Sequence, residues 1–105
     1  MKGLAQVILF AGCLSAQSAW AVSGAKLIET GNQFEQTQSG FFLGYVAGIA
    51  DSFRGSGLCL PSDATYGQLA AITLKYLRNN PEEWNKDGSG LVYESLSAVF
   101  PCKKT

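Results

Sequence analysis

The chain has 105 residues, so it holds one domain, and eight Lys/Arg balance eight Asp/Glu with no basic cluster. That balance argues against nucleic acid as a partner, because phosphate binding needs grouped Lys or Arg. There is no histidine, which removes the commonest general base and the commonest metal ligand.

The first segment reads as an export leader. Lys2 gives a short positive start, and Leu4 to Leu14 is mostly apolar. That run is too short to span a bilayer, which needs about 20 residues. Ala19-Trp20-Ala21 supplies a small-x-small cleavage site, which places the mature domain at residues 22–105 and the protein in the periplasm. A competing reading makes Cys13, after Ala11-Gly12, a lipid-attachment cysteine; Phe10 stands where leucine is usual in such a box.

Past the leader, apolar residues recur at intervals of three and four and never alternate, so the sequence predicts a small all-α bundle of about four helices. The first helix, about residues 25–36, can place Leu27, Ile28 and Phe34 on one face. Gly31 interrupts it at a cost of about 1 kcal/mol. The second, about residues 39–54, carries Phe42, Tyr45, Val46, Ile49 and Phe53 as an apolar stripe. Gly40, Gly44 and Gly48 fall along one ridge of it. Glycine weakens a helix, so the ridge predicts close packing of another helix of the domain around Gly44, Tyr45 and Gly48. Gly55, Gly57 and Pro61 then break the chain into a loop.

Thr65 and Gln68 form a capping box at the start of the third helix. Tyr66, Leu69, Ala70, Thr73, Tyr76 and Leu77 share its apolar face. Asn80-Pro81 ends that helix and begins the next segment, where Glu82 and Glu83 suit a positive helix end. Asp87-Gly88-Ser89-Gly90 interrupts, with Asp87 or Ser89 as a fresh cap. Leu91, Val92, Leu96, Val99 and Phe100 make the last apolar face before Pro101. Cys59 and Cys102 are the only cysteines of the expected mature chain, and in an oxidising compartment they pair. Such a long closed loop contributes roughly 4 kcal/mol in the chain-entropy model.

No arrangement of side chains supports catalysis. The serines have no histidine partner. Glu82 and Glu83 are adjacent and so diverge on a helix, and the glycine-rich stretches lack the lysine of a phosphate loop. Two bridging cysteines leave no metal set, and nothing calls for a cofactor. Recognition of a protein partner is the remaining role, and the connections are where it belongs. The candidates are the loop from Arg54 to Leu58 and the segment from Asn79 to Asp87, with Arg54, Glu82, Glu83 and Trp84 as contacts. Tryptophan is enriched among binding anchors, although it also serves to cover a small core.

An ordered set of motifs resembles the Rap/Tai immunity proteins: Gly44-Tyr45 with Gly48 in an apolar helix, Cys59-Leu60-Pro61, Thr65-Tyr66-Gly67-Gln68-Leu69, Lys75-Tyr76-Leu77, Asn80-Pro81, and Val99-Phe100-Pro101-Cys102. The resemblance implies an exported all-α domain, often a homodimer, that blocks a peptidoglycan amidase effector of type VI secretion. It also implies that Cys59 and Cys102 form the family's disulfide. Phe42 stands where many members carry a further cysteine, so a second bridge is missing. A different class of protein shares the export and the staple, the small acid-stress chaperone of the periplasm. The even charge balance favours the inhibitor, because an acid switch needs buried or paired carboxylates.

Overall fold

The computed structural model describes residues 21–103. Apart from Ala21, the expected leader lies outside the described residues, as does Cys13. Four helices follow one another: α1 (Gly24–Thr37), α2 (Phe41–Phe53), α3 (Tyr66–Asn79) and α4 (Gly88–Val99), with a 3-10 turn at Pro81–Glu83 between the last two. Among the described residues there is no strand, and the few extended pairings are isolated bridges. No described helix is long and apolar enough to cross a membrane.

α1 is complete rather than broken at Gly31. The Ser23 hydroxyl caps its start by accepting the Lys26 N–H, and Gln38 closes its end in a left-handed conformation (φ 58°) with its N–H on the Phe34 carbonyl. Its buried residues, Gly24, Leu27, Ile28, Gly31 and Phe34, recur at helical spacing. α2 buries Phe42, Val46 and Ala50, one per turn. α3 begins with the complete capping box, Gln68 N–H on the Thr65 hydroxyl and Thr65 N–H on the Gln68 side chain. Asp87 occupies the cap position of α4, but its side chain makes no capping hydrogen bond.

The core is one cluster drawn from all four helices, with Leu27, Phe42, Val46, Leu69, Leu77, Leu91, Val92 and Leu96 fully or almost fully buried. Leu58 joins it from the α2–α3 connection, entirely buried. One polar pair lies inside: the Thr73 and Ser95 hydroxyls meet at 2.8 Å, and Ser95 donates onward to the Val92 carbonyl. Satisfied in this way, the pair ties α3 to α4, and its hydrogen bonds offset the cost of desolvating the two hydroxyls. At the surface Arg78 of α3 clamps Glu35 of α1 with two bonds of 2.8 Å and adds Asn32 at 2.8 Å.

The glycine ridge is corrected by the structure. Among the described residues, no atom of a neighbouring element lies within 4 Å of a Cβ built at Gly44 or Gly48, so no described helix packs on them. Tyr45 does lie partly against the core, and its ring stacks on Phe41 at 5.4 Å. Close approach occurs at other glycines. A Cβ at Gly24 would come within 2.8 Å of the Trp84 Cα, one at Gly31 within 2.6 Å of Leu74 Cδ1, and one at Gly88 within 2.8 Å of the Val22 carbonyl. The residue that interrupts the helical pattern of α1 is therefore one where side chains of α2 (Phe42) and α3 (Leu74) come close to it.

Candidate protein-binding site

The two connections singled out from the sequence are ordered in different ways. The first links α2 to α3. The chain leaves α2 at Phe53 and turns through Gly55 (φ 77°) and Gly57 (φ 114°), conformations that a side chain would strain. Backbone bonds close the turn: Ser56 N–H and Leu58 N–H on the Phe53 carbonyl at 2.8 and 3.1 Å, and Gly55 N–H on the Leu58 carbonyl at 2.8 Å. Leu58 then plugs into the core. Cys59 donates its N–H to the Phe100 carbonyl at 3.2 Å and forms the disulfide to Cys102, with the Cα atoms 4.9 Å apart. The tip is thus held by a turn, a buried leucine and a covalent bond.

Around this tip several side chains stand free. Tyr66 is 44% exposed and Phe53 37% exposed. Phe53 rests on Tyr93 with ring centroids 4.8 Å apart. The Tyr66 hydroxyl donates to the Asp51 carboxylate at 2.9 and 3.0 Å, and Arg54 reaches the same carboxylate at 3.4 Å. Arg54 has no other described side-chain bond, so most of its guanidinium donors face solvent. The spacing places Tyr66 on the apolar face of α3, yet its hydroxyl reaches Asp51 of α2. Their meeting, fifteen residues apart in the chain, is a tertiary fact with no local signal.

The second connection, Asn79 to Asp87, is strapped down. Gly24 N–H bonds the Lys86 carbonyl at 2.9 Å, Ala25 N–H bonds the Trp84 carbonyl at 2.8 Å, and Gly88 N–H bonds the Val22 carbonyl at 2.6 Å. Trp84 is half-buried against the core, and its indole N–H donates to the Leu77 carbonyl at 2.7 Å. Its apolar body and its polar tip are both engaged within the chain, so the structure places it as a core cover and not as a free anchor. Glu83 pairs with Lys86 at 2.9 Å, and Glu82 is exposed. The structure does not bring Arg54 together with Glu82, Glu83 and Trp84 through any described hydrogen bond or ion pair.

The remaining chemistry is that of a surface. No group of three potential metal ligands occurs among the described residues. The Arg78 guanidinium bonded to Glu35 holds that carboxyl below its ordinary range. Burial, with the bond to Glu94, pushes the Tyr76 hydroxyl up to about 12 and keeps it a neutral donor. An open groove of 460 Å³ beside the loop is lined by Pro61, Asp63, Ala64, Gln68, Ile72 and Phe100, with Asp63 as its one ionisable side chain.

No curated protein matches the sequence. The family model of the Rap1a immunity proteins matches residues 13–102, nearly the whole chain. The all-α bundle and the Cys59–Cys102 bridge agree with the resemblance read from the motifs, and the chain belongs to the Rap1a immunity protein family.

Proposed function

We propose that this protein is a periplasmic immunity protein that binds and inhibits a peptidoglycan amidase effector of type VI secretion. Family membership carries the reading. The structure supplies a scaffold that suits it. An inhibitor needs a surface already in its bound shape, because ordering loops and side chains on docking costs affinity. The tip from Arg54 to Leu58 meets that need through its closed turn, the buried Leu58 and the disulfide. It presents Arg54, Phe53 and Tyr66, residue types enriched at the centres of interfaces. We place the contact surface there, with Asp51 holding Arg54 and Tyr66 in position, and assign Glu82 and Glu83 at most to its periphery.

The chaperone reading gains no support from the burial pattern. None of the described carboxylates is buried, and those that are paired lie in exposed or part-exposed pairs whose loss in acid costs little.

The test is rescue. Candidate amidases directed to the periplasm should lyse cells that lack this protein and spare cells that make it, and the spared cells should yield a stoichiometric complex. If it rescues cells from none of them and co-purifies with no enzyme, the immunity reading falls.

A further inference from the structure

We infer that the Cys59–Cys102 bridge is a redox gate on the loop tip: its reduction releases the segment from Arg54 to Pro61 while the four-helix bundle stays assembled. The functional consequence rests on the reading above, since it makes the protein a competent inhibitor only in an oxidising compartment. The structural part stands without that reading.

The bridge joins two segments that lie outside every helix, the α2–α3 connection and the tail after α4. Neither cysteine belongs to the apolar core. The core packing, the Thr73–Ser95 bond and the Arg78–Glu35 clamp all hold helix to helix without it. The loop has fewer supports of its own. Beyond the turn itself, it is held to the segment after α4 by the Cys59 N–H on Phe100, the bridge pairing of Leu58 with Pro101 and the disulfide, and to the core by the Leu58 and Leu60 side chains. Phe100 and Pro101 have already left α4, so both sides of this clasp lie outside the helices. Two glycines at positive φ lie in the tip. Glycine loses the most conformational freedom on ordering and regains the most on release. Cutting the one covalent tie therefore acts first on the tip.

Cys59 is exposed and Cys102 half-buried, so a thiol can reach the bond. A dithiol such as dithiothreitol supplies the balance. Its thiolate attacks the bridge, Cys59 being the more open side, and forms a mixed disulfide while Cys102 leaves as a thiolate and takes up a proton. The second reductant thiol then closes on the first and frees Cys59. Two electrons and two protons pass to the protein, and the reductant leaves as a cyclic disulfide.

Trypsin reads the outcome, because Arg54 lies in the tip while Lys75 and Arg78 lie in α3. The protein is compared oxidised and after reduction with dithiothreitol, capping with iodoacetamide and removal of both reagents. Cleavage after Arg54 should accelerate by about tenfold or more, since nicking follows local opening. Cleavage after Lys75 and Arg78 should not accelerate, and the helical circular dichroism should persist. A Cys59→Ser/Cys102→Ser double variant should behave as the reduced protein does, without any cap. If Arg54 is cut no faster, the bridge does not hold the tip. If α3 is cut alongside it, or the helical signal collapses, the bridge staples the whole fold and the gate is overturned. Reduction should also weaken a captured amidase complex by about tenfold, a change of about 1.4 kcal/mol. If no amidase binds the oxidised form either, the immunity reading fails while the proteolysis result still decides the gate.

Discussion

The connections at α2–α3 and α3–α4 are both ordered, yet their side chains are placed in opposite ways. In the first, order comes from the backbone turn, Leu58 and the disulfide, so Arg54, Phe53 and Tyr66 remain at the surface. In the second, backbone bonds to the start of α1 are joined by the side chain a partner would want: Trp84 fills space against the core and gives its N–H to Leu77. Residue type alone made Trp84 the better anchor. What its polar atom and its ring already touch reverses that ranking.

The contrast can be broken by substitution, and the largest effect concerns the covalent tie. Cys59→Ser should lower stability by about 2–5 kcal/mol in denaturant melts, the range seen for native disulfides in small domains. Trp84→Ala should cost about 2–4 kcal/mol, because it opens the core and removes the indole bond to the Leu77 carbonyl, which keeps only the Asn80 N–H at 3.3 Å. The variant protein that remains folded should keep its partner affinity. A stable Trp84→Ala protein that no longer binds would restore Trp84 as an anchor.

Glycines sharpen the same point at smaller scale. Gly24→Ala drives a methyl into the backbone of Trp84, 2.8 Å from its Cα, and should destabilise by about 1–3 kcal/mol. Gly48→Ala meets nothing within 4 Å and should stabilise α2 by up to about 1 kcal/mol. Paired melts give opposite signs if the packing is as described. A loss at Gly48 in the isolated monomer would contradict it.

These residues also show how far the sequence could be read. The helix number, the Thr65–Gln68 box and the Cys59–Cys102 pairing were legible because each depends on local spacing or on elimination among few cysteines. Glycine spacing was not enough. It shows where a side chain is missing, not what fills the space, so Gly44 and Gly48 drew attention that belonged to Gly24, Gly31 and Gly88. Val99 fitted the apolar period of α4 but lies 51% exposed, because the helix ends there and the chain turns away. Leu58 stands among loop residues with no periodicity to mark it, yet it is fully buried. The Tyr66–Asp51 bond, which organises the candidate site, arises only when α2 and α3 pack.

The smallest effects on stability should come from the site itself. Arg54→Ala and Tyr66→Phe alter exposed groups, and each should shift unfolding by no more than about 0.5 kcal/mol in urea melts. A larger loss would make the Asp51 cluster a structural device.

Charge reversal at the two connections tests the central claim most directly. The affinity of Arg54→Glu and of Glu82→Lys for the captured amidase should be measured by calorimetry beside the unaltered protein. The loop-tip variant should bind at least about tenfold more weakly, while the strapped-end variant stays within about threefold. Equal losses, or a larger loss at Glu82, would contradict the placement of the contact surface on the disulfide-held loop.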